Sequence, residues 1–100
     1  MTGTRAAIRY AKAVLSLATD NKNAEAVQLD MALISSSIAN SESLDNALKS
    51  PVVRLSDKAA VLNTLFPSVS SESKSLFSTL VKNKRVNILG QIATQYGVLY

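Results

Sequence analysis

The apolar residues of this 100-residue chain recur at helical spacing, and this periodicity is what most limits the folds it can adopt. Val27, Met31, Ile34 and Ile38 follow one another at intervals of four, three and four positions, which places them on one face of an α-helix. The whole chain has 3 Gly and 2 Pro, too few for the tight turns of an all-β fold. The sequence therefore predicts an all-α protein, a compact six-helix bundle that forms a single domain over residues 1–100.

Polar segments and prolines divide the chain into these helices, two of which are predicted to be short. The first helix is predicted over residues 4–19, the second from an Asn23 cap to Asn40, and a short third is capped by Ser41. A break follows at Ser50–Pro51, and a fourth helix is capped by Ser56 and ends before Pro67. A serine-rich loop and the start of the fifth helix span residues 68–78, and the sixth helix carries Leu89, Ile92, Tyr96 and Leu99. We expect the segment with Val52, Val53 and Leu55 to pack on the core. Leu62, Leu65 and Phe66 should form the apolar edge of the fourth helix.

Composition excludes several classes of function. Cysteine and histidine are both absent, so the chain has no thiol nucleophile, no disulfide, no zinc site of the Cys/His type and no histidine acid/base. The seven carboxylates are scattered, and the phosphate-binding glycine motifs and the G-x-S-x-G motif are missing. We therefore predict no catalytic residues, no cofactor-binding residues and no metal site, and a protein that is not an enzyme.

The charge pattern leaves a second class of function open. The net charge is +4, and residues 51–100 carry the whole surplus. The cluster Lys82–Arg85 could meet phosphate, but it lacks a recognition-helix context. A solvated helix end explains it better, because cations suit a helix C-terminus. The alternative function is therefore that of an unrelated helical adaptor or a weak basic nucleic-acid-binding bundle. No apolar run is long enough to cross a membrane, so we expect no direct membrane insertion.

The first helix is apolar on two sides. One row of its surface consists of Ile8, Ala11, Leu15 and Ala18, with Val14 near its boundary, and we expect this row to face the core. A second row consists of Ala6, Tyr10, Ala13 and Leu17. A bundle helix needs only one apolar stripe, so the second row indicates either a central helix or a surface that binds a partner.

The fifth helix shows a weaker version of the same pattern. Phe77, Leu80, Val81 and Lys84 form one side, and Ser75, Leu76, Thr79 and Asn83 form a mixed second side. Two helices with small-residue faces can flank a groove that accepts a partner's amphipathic helix.

Several segments, in order, resemble the delta subunit of F-type ATP synthase, called the oligomycin-sensitivity-conferring protein in mitochondria. The opening helix Ala7–Ala18 carries the R-Y-A-K-A pattern, and the segment Leu48–Val53 resembles the family's L-x-S-P junction. The remaining similar segments are Lys58–Leu62, Phe77–Arg85 with F-x-x-L-hydrophobic-x-N-x-R, and Val86–Tyr96. Together these segments cover nearly the whole chain.

The resemblance implies a non-catalytic stator component that binds the N-terminal helix of an alpha subunit and links the catalytic head to the peripheral stalk during proton-driven ATP synthesis. The partner-binding residues it implies are Ala6, Tyr10, Ala13 and Leu17 on the first helix and Ser75, Leu76, Thr79 and Asn83 on the fifth. Residues 1–100 are expected to be the family's N-terminal domain, without the C-terminal domain that meets stalk subunit b, and no nucleic acid partner is expected. The implied location is peripheral, at the cytoplasmic face of the bacterial inner (plasma) membrane, or in the matrix or stroma of an organelle.

Overall fold

Six α-helices and one 3-10 turn make up residues 4–100, the part of the chain described by a computed structural model. In chain order these are α1 (Arg5–Asp20), α2 (Ala24–Ala39), α3 (Glu42–Lys49), α4 (Leu55–Leu65), α5 (Ser71–Lys82), the 3-10 turn Val86–Ile88 and α6 (Leu89–Leu99). The described residues contain no β-strand. The predicted all-α class and the six helices are confirmed.

Helix α6 lies at the centre, where it packs mainly against α1 and α2, while α5 packs against α4 and α1. The predicted row of α2, from Val27 to Ile38, is buried, as are Leu89, Ile92 and Tyr96 of α6. The Tyr96 hydroxyl donates a 2.8 Å hydrogen bond to the Ala24 carbonyl oxygen, so the polar tip of this buried ring is satisfied.

Helix α1 uses a slightly different row for the core from the one predicted. The buried residues are Ala7, Ala11, Val14 and Ala18, which recur at intervals of four, three and four. Leu15 is only partly buried at the edge of this row, and Ile8 is also half-buried. The prediction that Val14 lies at a boundary is therefore wrong, since its side chain is central to the row. Three alanines in that row let the α6 backbone approach closely, and the larger Ile8 and Leu15 lie to one side.

Of the three predicted helix caps, Ser41 and Asn23 occupy N-cap positions, and the Ser56 cap is wrong. Ser41 does cap α3, because its Oγ accepts a 3.2 Å hydrogen bond from the Leu44 backbone N–H. Asn23 occupies the N-cap position of α2 but makes no capping hydrogen bond, since its side chain binds Glu72 instead. Helix α4 begins at Leu55 with Arg54 at the N-cap position, so Ser56 lies inside the helix.

Two predicted core residues are exposed. Val52 lies in the turn before α4 with 87% of its surface accessible, while Val53 and Leu55 are half-buried. Leu65 is exposed, whereas Leu62 and Phe66 are buried as predicted. The chain leaves the helix at Phe66, and this change of direction turns the Phe66 ring inward, 6.1 Å from the ring of Phe77, instead of continuing the helical face of Leu65.

The start of α5 is held by a carboxylate from α2. Asp30 Oδ2 accepts hydrogen bonds from the Ser70 N–H at 2.9 Å, the Ser70 hydroxyl at 2.7 Å and the Ser73 hydroxyl at 2.8 Å. Ser70 also caps the helix, through its own Oγ and the Ser73 N–H. The serine-rich stretch is thus a loop that continues into the first turns of α5, as predicted, and it is anchored to the helix that packs beside it.

Candidate functional site

One wall of the candidate site is the second apolar row of α1. Ala13 is exposed, Tyr10 is half-buried, and 44% of the Leu17 surface is accessible. Ala6 lies at the start of the same row and is partly buried. The buried row of α1, from Ala7 to Ala18, packs in the core. The second apolar row is therefore not fully covered by other helices of the described chain.

The opposite wall is α5, and its residues have two different roles. Ser75 and Thr79 are exposed and border the groove. Leu76 is only 4% exposed, so it belongs to the core and forms the groove floor together with Val14. Leu76 therefore lines the same depression as Ser75 and Thr79 but lies on its floor, a distinction that helical spacing alone does not make.

Two adjoining depressions make up this groove, which we call the α1–α5 groove. The first has a volume of about 150 Å³ and is lined by Tyr10, Ala13, Val14, Leu17, Glu72, Ser75, Leu76 and Thr79. The second has a volume of about 280 Å³ and is lined by Ala6, Arg9, Tyr10, Ala13 and Arg85. Tyr10 and Ala13 belong to both, so the two depressions form one continuous surface along α1.

A hydrogen bond joins the two walls at one end of the groove. Asn83 Nδ2 donates to the Tyr10 hydroxyl at 2.8 Å. This bond holds the Tyr10 ring beside the end of α5 and links the first predicted residue set to the second. All eight residues predicted for partner binding therefore lie along one groove, seven of them in its lining and Asn83 through this bond.

A buried carboxylate marks the other end. Glu72 is 4% exposed, and its carboxylate accepts hydrogen bonds from Asn23 Nδ2 at 3.1 and 3.2 Å, from Ser71 Oγ at 3.0 Å and from Asn21 Nδ2 at 3.4 Å. A hydrogen bond from its own backbone N–H holds the pKa of Glu72 below its ordinary value of 4.5; burial opposes this shift, and the Asn23, Ser71 and Asn21 side chains reinforce it. Glu72 is therefore an anion at neutral pH.

Sequence reasoning missed Arg9, Val14, Glu72 and Arg85 as lining residues. Glu72 lies within the serine-rich stretch, where an acidic residue in the first turn of a helix has an ordinary explanation. The sequence favours a solvated helix end for Arg85, and residues 82–85 are indeed exposed. Arg9 precedes Tyr10 on α1, and helical spacing alone places it at the margin of the second row. Val14 and Arg9 each carried a usable signal, since Val14 lies one turn from Tyr10 and Arg9 lies one turn from Ala13.

The chemistry of the groove favours binding over catalysis. Small and apolar side chains of α1 face hydroxyl-bearing side chains of α5 across a shallow open surface. Within residues 4–100, no three His, Cys, Asp or Glu residues are grouped closely enough to hold a metal ion. A surface of this shape suits a partner's amphipathic helix, whose apolar side chains fit between the two walls.

Comparison with known proteins identifies the family. The family model for the ATP synthase delta (OSCP) subunit matches residues 6–100. The delta subunit of ATP synthase from Christiangramia forsetii is 47% identical over 96 residues, which is 96% of this chain and 52% of that protein. The corresponding subunit of Flavobacterium psychrophilum is 41% identical over 100 residues, 100% of this chain and 56% of that protein.

The similarity extends to an organellar protein. A chloroplastic ATP synthase subunit delta from Ochrosphaera neapolitana is 34% identical over 97 residues, 96% of this chain and 54% of that protein. The chain spans about half the length of the curated relatives it matches.

The chain belongs to the ATP synthase delta (OSCP) subunit family. The delta subunit of F-type ATP synthase is a non-catalytic subunit, in agreement with the prediction from composition. Membership of this family sets aside the alternative of an unrelated helical adaptor.

Proposed function

We propose that this six-helix unit is a stator component of F-type ATP synthase that binds the N-terminal helix of an alpha subunit in the α1–α5 groove. The observation that carries the proposal is the accessibility of Tyr10, Ala13 and Leu17 on a helix whose neighbouring face is buried in the core. A helix laid along this row would cover apolar surface that the chain itself leaves open. Family membership supplies the complex in which such a partner occurs.

The proposed role is mechanical. Rotation of the rotor drags on the catalytic head, and a stator resists that torque by linking the head to the peripheral stalk. The domain contributes by remaining folded and remaining bound, which requires an interface of about 800 Å² per partner, the ordinary size for a stable complex. A few apolar anchors in the groove would supply most of the affinity, with polar rim contacts such as Ser75 and Thr79 adding specificity.

The remaining parts of the proposal follow from the family. We propose that the chain is the head-binding domain of such a subunit, that contact with stalk subunit b is made by a further domain, and that the complex holds the protein at the membrane periphery. Among residues 4–100, none of the helices combines the length and apolar character needed to cross a membrane.

The test of the groove is the variant Ala13→Asp. Ala13 is exposed, so a carboxylate there can remain hydrated and should leave helical circular dichroism and the melting temperature nearly unchanged. In the bound state the same carboxylate would be desolvated against an apolar helix face, and binding of an alpha-subunit N-terminal peptide should be lost in calorimetric titration.

The matched control is Ala32→Asp. Ala32 is an exposed alanine in the middle of α2, outside the groove, so this variant makes the same chemical change at a different surface. It should bind the peptide with wild-type affinity. Full-strength binding by Ala13→Asp would remove the groove assignment, while equal loss in both variants would show that added charge alone, and not its position, weakens binding.

A further inference from the structure

The two ends of the α1–α5 groove carry opposite charges. Arg9 and Arg85 line the depression that also contains Ala6, and neither guanidinium forms an ion pair with a carboxylate of residues 4–100. Glu72 lines the depression at the other end. Tyr10 and Ala13 lie between them and are uncharged, so the charge changes sign along the length of the groove.

Backbone geometry places Arg85 at the cationic end. Helix α5 ends at Lys82, and Lys84 adopts a left-handed conformation with φ of 58°. The Arg85 N–H donates to the Leu80 carbonyl at 2.8 Å and the Lys84 N–H donates to the Val81 carbonyl at 3.2 Å, the pattern of a Schellman motif. This turn reverses the chain directly after α5 and fixes the position of Arg85 beside α1.

A second carboxylate reinforces the anionic end. Asp20 is the last residue of α1 and is exposed. It follows Ala13 by seven positions, as Ala13 follows Ala6, so it continues the same row of the helix surface towards the Glu72 end. Glu72 is ionised at neutral pH for the reasons given above, and its partners within residues 4–100 are amide, hydroxyl and backbone N–H groups, not cations.

The helix dipoles do not account for this asymmetry. The early part of α1 meets the end of α5 through Tyr10 and Asn83, and the late part of α1 shares a depression with the start of α5, so the two helices run antiparallel. The positive end of one dipole therefore lies beside the negative end of the other at both ends of the groove. Charged side chains, not the backbone, give the groove its polarity.

We propose that the groove selects a helix with one acidic end and one basic end, and that it fixes the direction of that helix by placing the acidic end beside Arg9 and Arg85 and the basic end beside Glu72 and Asp20. This inference rests on the proposed function, because it assumes that the groove binds a helix. Complementary charges at the two ends of an apolar contact set the register and orientation of the bound helix more than they set its affinity.

The probe is a pair of synthetic amphipathic peptides of about 20 residues, long enough to span ~30 Å as helices. Both have the same leucine-based apolar face, and both carry a nitroxide label at the N-terminus. One has glutamates in its first turn and lysines in its last turn, and the other has these charges exchanged. Paramagnetic broadening of the amide resonances of the ¹⁵N-labelled chain then reports which end of the groove each N-terminus occupies.

The expected result is a reversal. The label on the glutamate-first peptide should broaden the amides of Ala6 and Arg85, and the label on the lysine-first peptide should broaden those of Leu17 and Ser71. Broadening at the same end for both peptides, or at both ends for either one, would overturn the inference while leaving helix binding intact. If neither these peptides nor the alpha-subunit peptide binds, the proposed function itself fails.

Charge variants of the groove provide a second readout. Arg85→Glu should weaken the glutamate-first peptide by about tenfold at low salt, and this difference should shrink as salt is added. Lys74→Glu makes the same change on an exposed residue of α5 that points away from the groove by helical spacing, and it should have little effect. Equal weakening by both variants would mean that the net charge of the protein, and not the position of charges in the groove, determines the affinity, and it would contradict the inference.

Discussion

Neighbouring residues of α2 show how sharply position decides the role of an apolar side chain. Ile34 is fully buried, whereas the adjacent Leu33 is 51% exposed. Both are large and apolar, so composition does not distinguish them, and only the helical phase assigns Ile34 to the core. Leu29, one turn before Leu33, is exposed as well.

This pair provides a matched test of the core. Ile34→Ala should lower the free energy of unfolding by about 2–5 kcal/mol, because it removes buried methyl groups and leaves a cavity. Leu33→Ala should change it by no more than about 0.5 kcal/mol, since its side chain already meets water. Urea denaturation of the two variants measures both values, and similar losses would mean that the face of α2 is misassigned.

Glu72 is the residue for which pH should matter most directly. Its pKa is below the ordinary value of 4.5 in the folded chain. The folded state therefore stabilises the ionised carboxylate relative to the protonated form more than the unfolded state does. The stability that this residue contributes is therefore present above about pH 4.5 and is lost as the pH falls through the lowered folded-state pKa.

Replacing Glu72 by Gln tests that contribution. We expect Glu72→Gln to be less stable than the parent chain near neutral pH, with a difference that narrows as the solution is acidified below the ordinary pKa. Urea unfolding measured at a series of pH values gives this difference directly. Glu25→Gln, which alters an exposed first-turn carboxylate of α2, should have a smaller effect near neutral pH. A difference for Glu72→Gln that does not vary with pH would contradict the assignment.

At the scale of helices, α5 depends on contacts from other elements more than on its own sequence. Asp30 of α2 accepts three hydrogen bonds from Ser70 and Ser73 at the start of α5. Asn21 and Asn23 donate hydrogen bonds to Glu72 in the first turn of α5. These bonds connect the α1–α2 turn and α2 to the helix that forms the second wall of the groove. The groove width is therefore set by polar contacts at one end of α5 as well as by the core.

Asp30→Ala should loosen this wall. It leaves the fully buried Ser73 hydroxyl without its acceptor, which costs about 1–3 kcal/mol of stability. Amide hydrogen exchange should accelerate in the first turns of α5 more than in α6. Asp30→Asn keeps an acceptor oxygen of the same shape and should recover much of the loss; if it is as harmful as Asp30→Ala, the negative charge, not the hydrogen-bond geometry, matters.

For the whole molecule, Tyr96 connects the central helix to the rest of the chain. Its ring is fully buried in α6, it stacks 5.9 Å from the ring of Tyr100, and its hydroxyl binds the first turn of α2. Burial, with smaller electrostatic contributions from Tyr100, Asp30 and Glu72, raises the pKa of Tyr96 to about 12. Ionising this phenol in the folded chain is therefore unfavourable below about pH 12.

Tyr96→Phe tests this connection. The variant should lose about 0.5–1.5 kcal/mol of stability at neutral pH, because the Ala24 carbonyl loses its hydrogen bond. The stability gained from a neutral Tyr96 is present below the ordinary tyrosine pKa of 10.0 and is lost as the pH rises through about 12. Alkaline unfolding of the parent chain, followed by circular dichroism and phenolate absorbance, should thus be steeper with pH than that of the variant. Identical alkaline curves would contradict this role for Tyr96.

The sequence alone determined the helices and most of the core. The period of the apolar residues is a local property, so the buried row of α2, the Ser41 cap and the six-helix class could be read without knowing what packs against what. The same local information indicated the two helices that flank the groove, because the second row of α1 and the mixed second side of α5 are visible in the sequence without knowledge of their neighbours.

Only the tertiary structure decided which of those apolar rows is covered and where the polar contacts lie. Val14 occupies the core row in place of Leu15, Leu76 forms a floor and not a rim, and Asn23 binds Glu72 across the fold instead of capping α2. Helical phase is set by neighbours along the chain, whereas burial and side-chain hydrogen bonds depend on residues far away in the sequence, as with Asn23 and Glu72, which are 49 positions apart. The opposite charges at the two ends of the groove also depend on distant residues, because Arg85 and Glu72 lie beside α1 only when α5 packs against it.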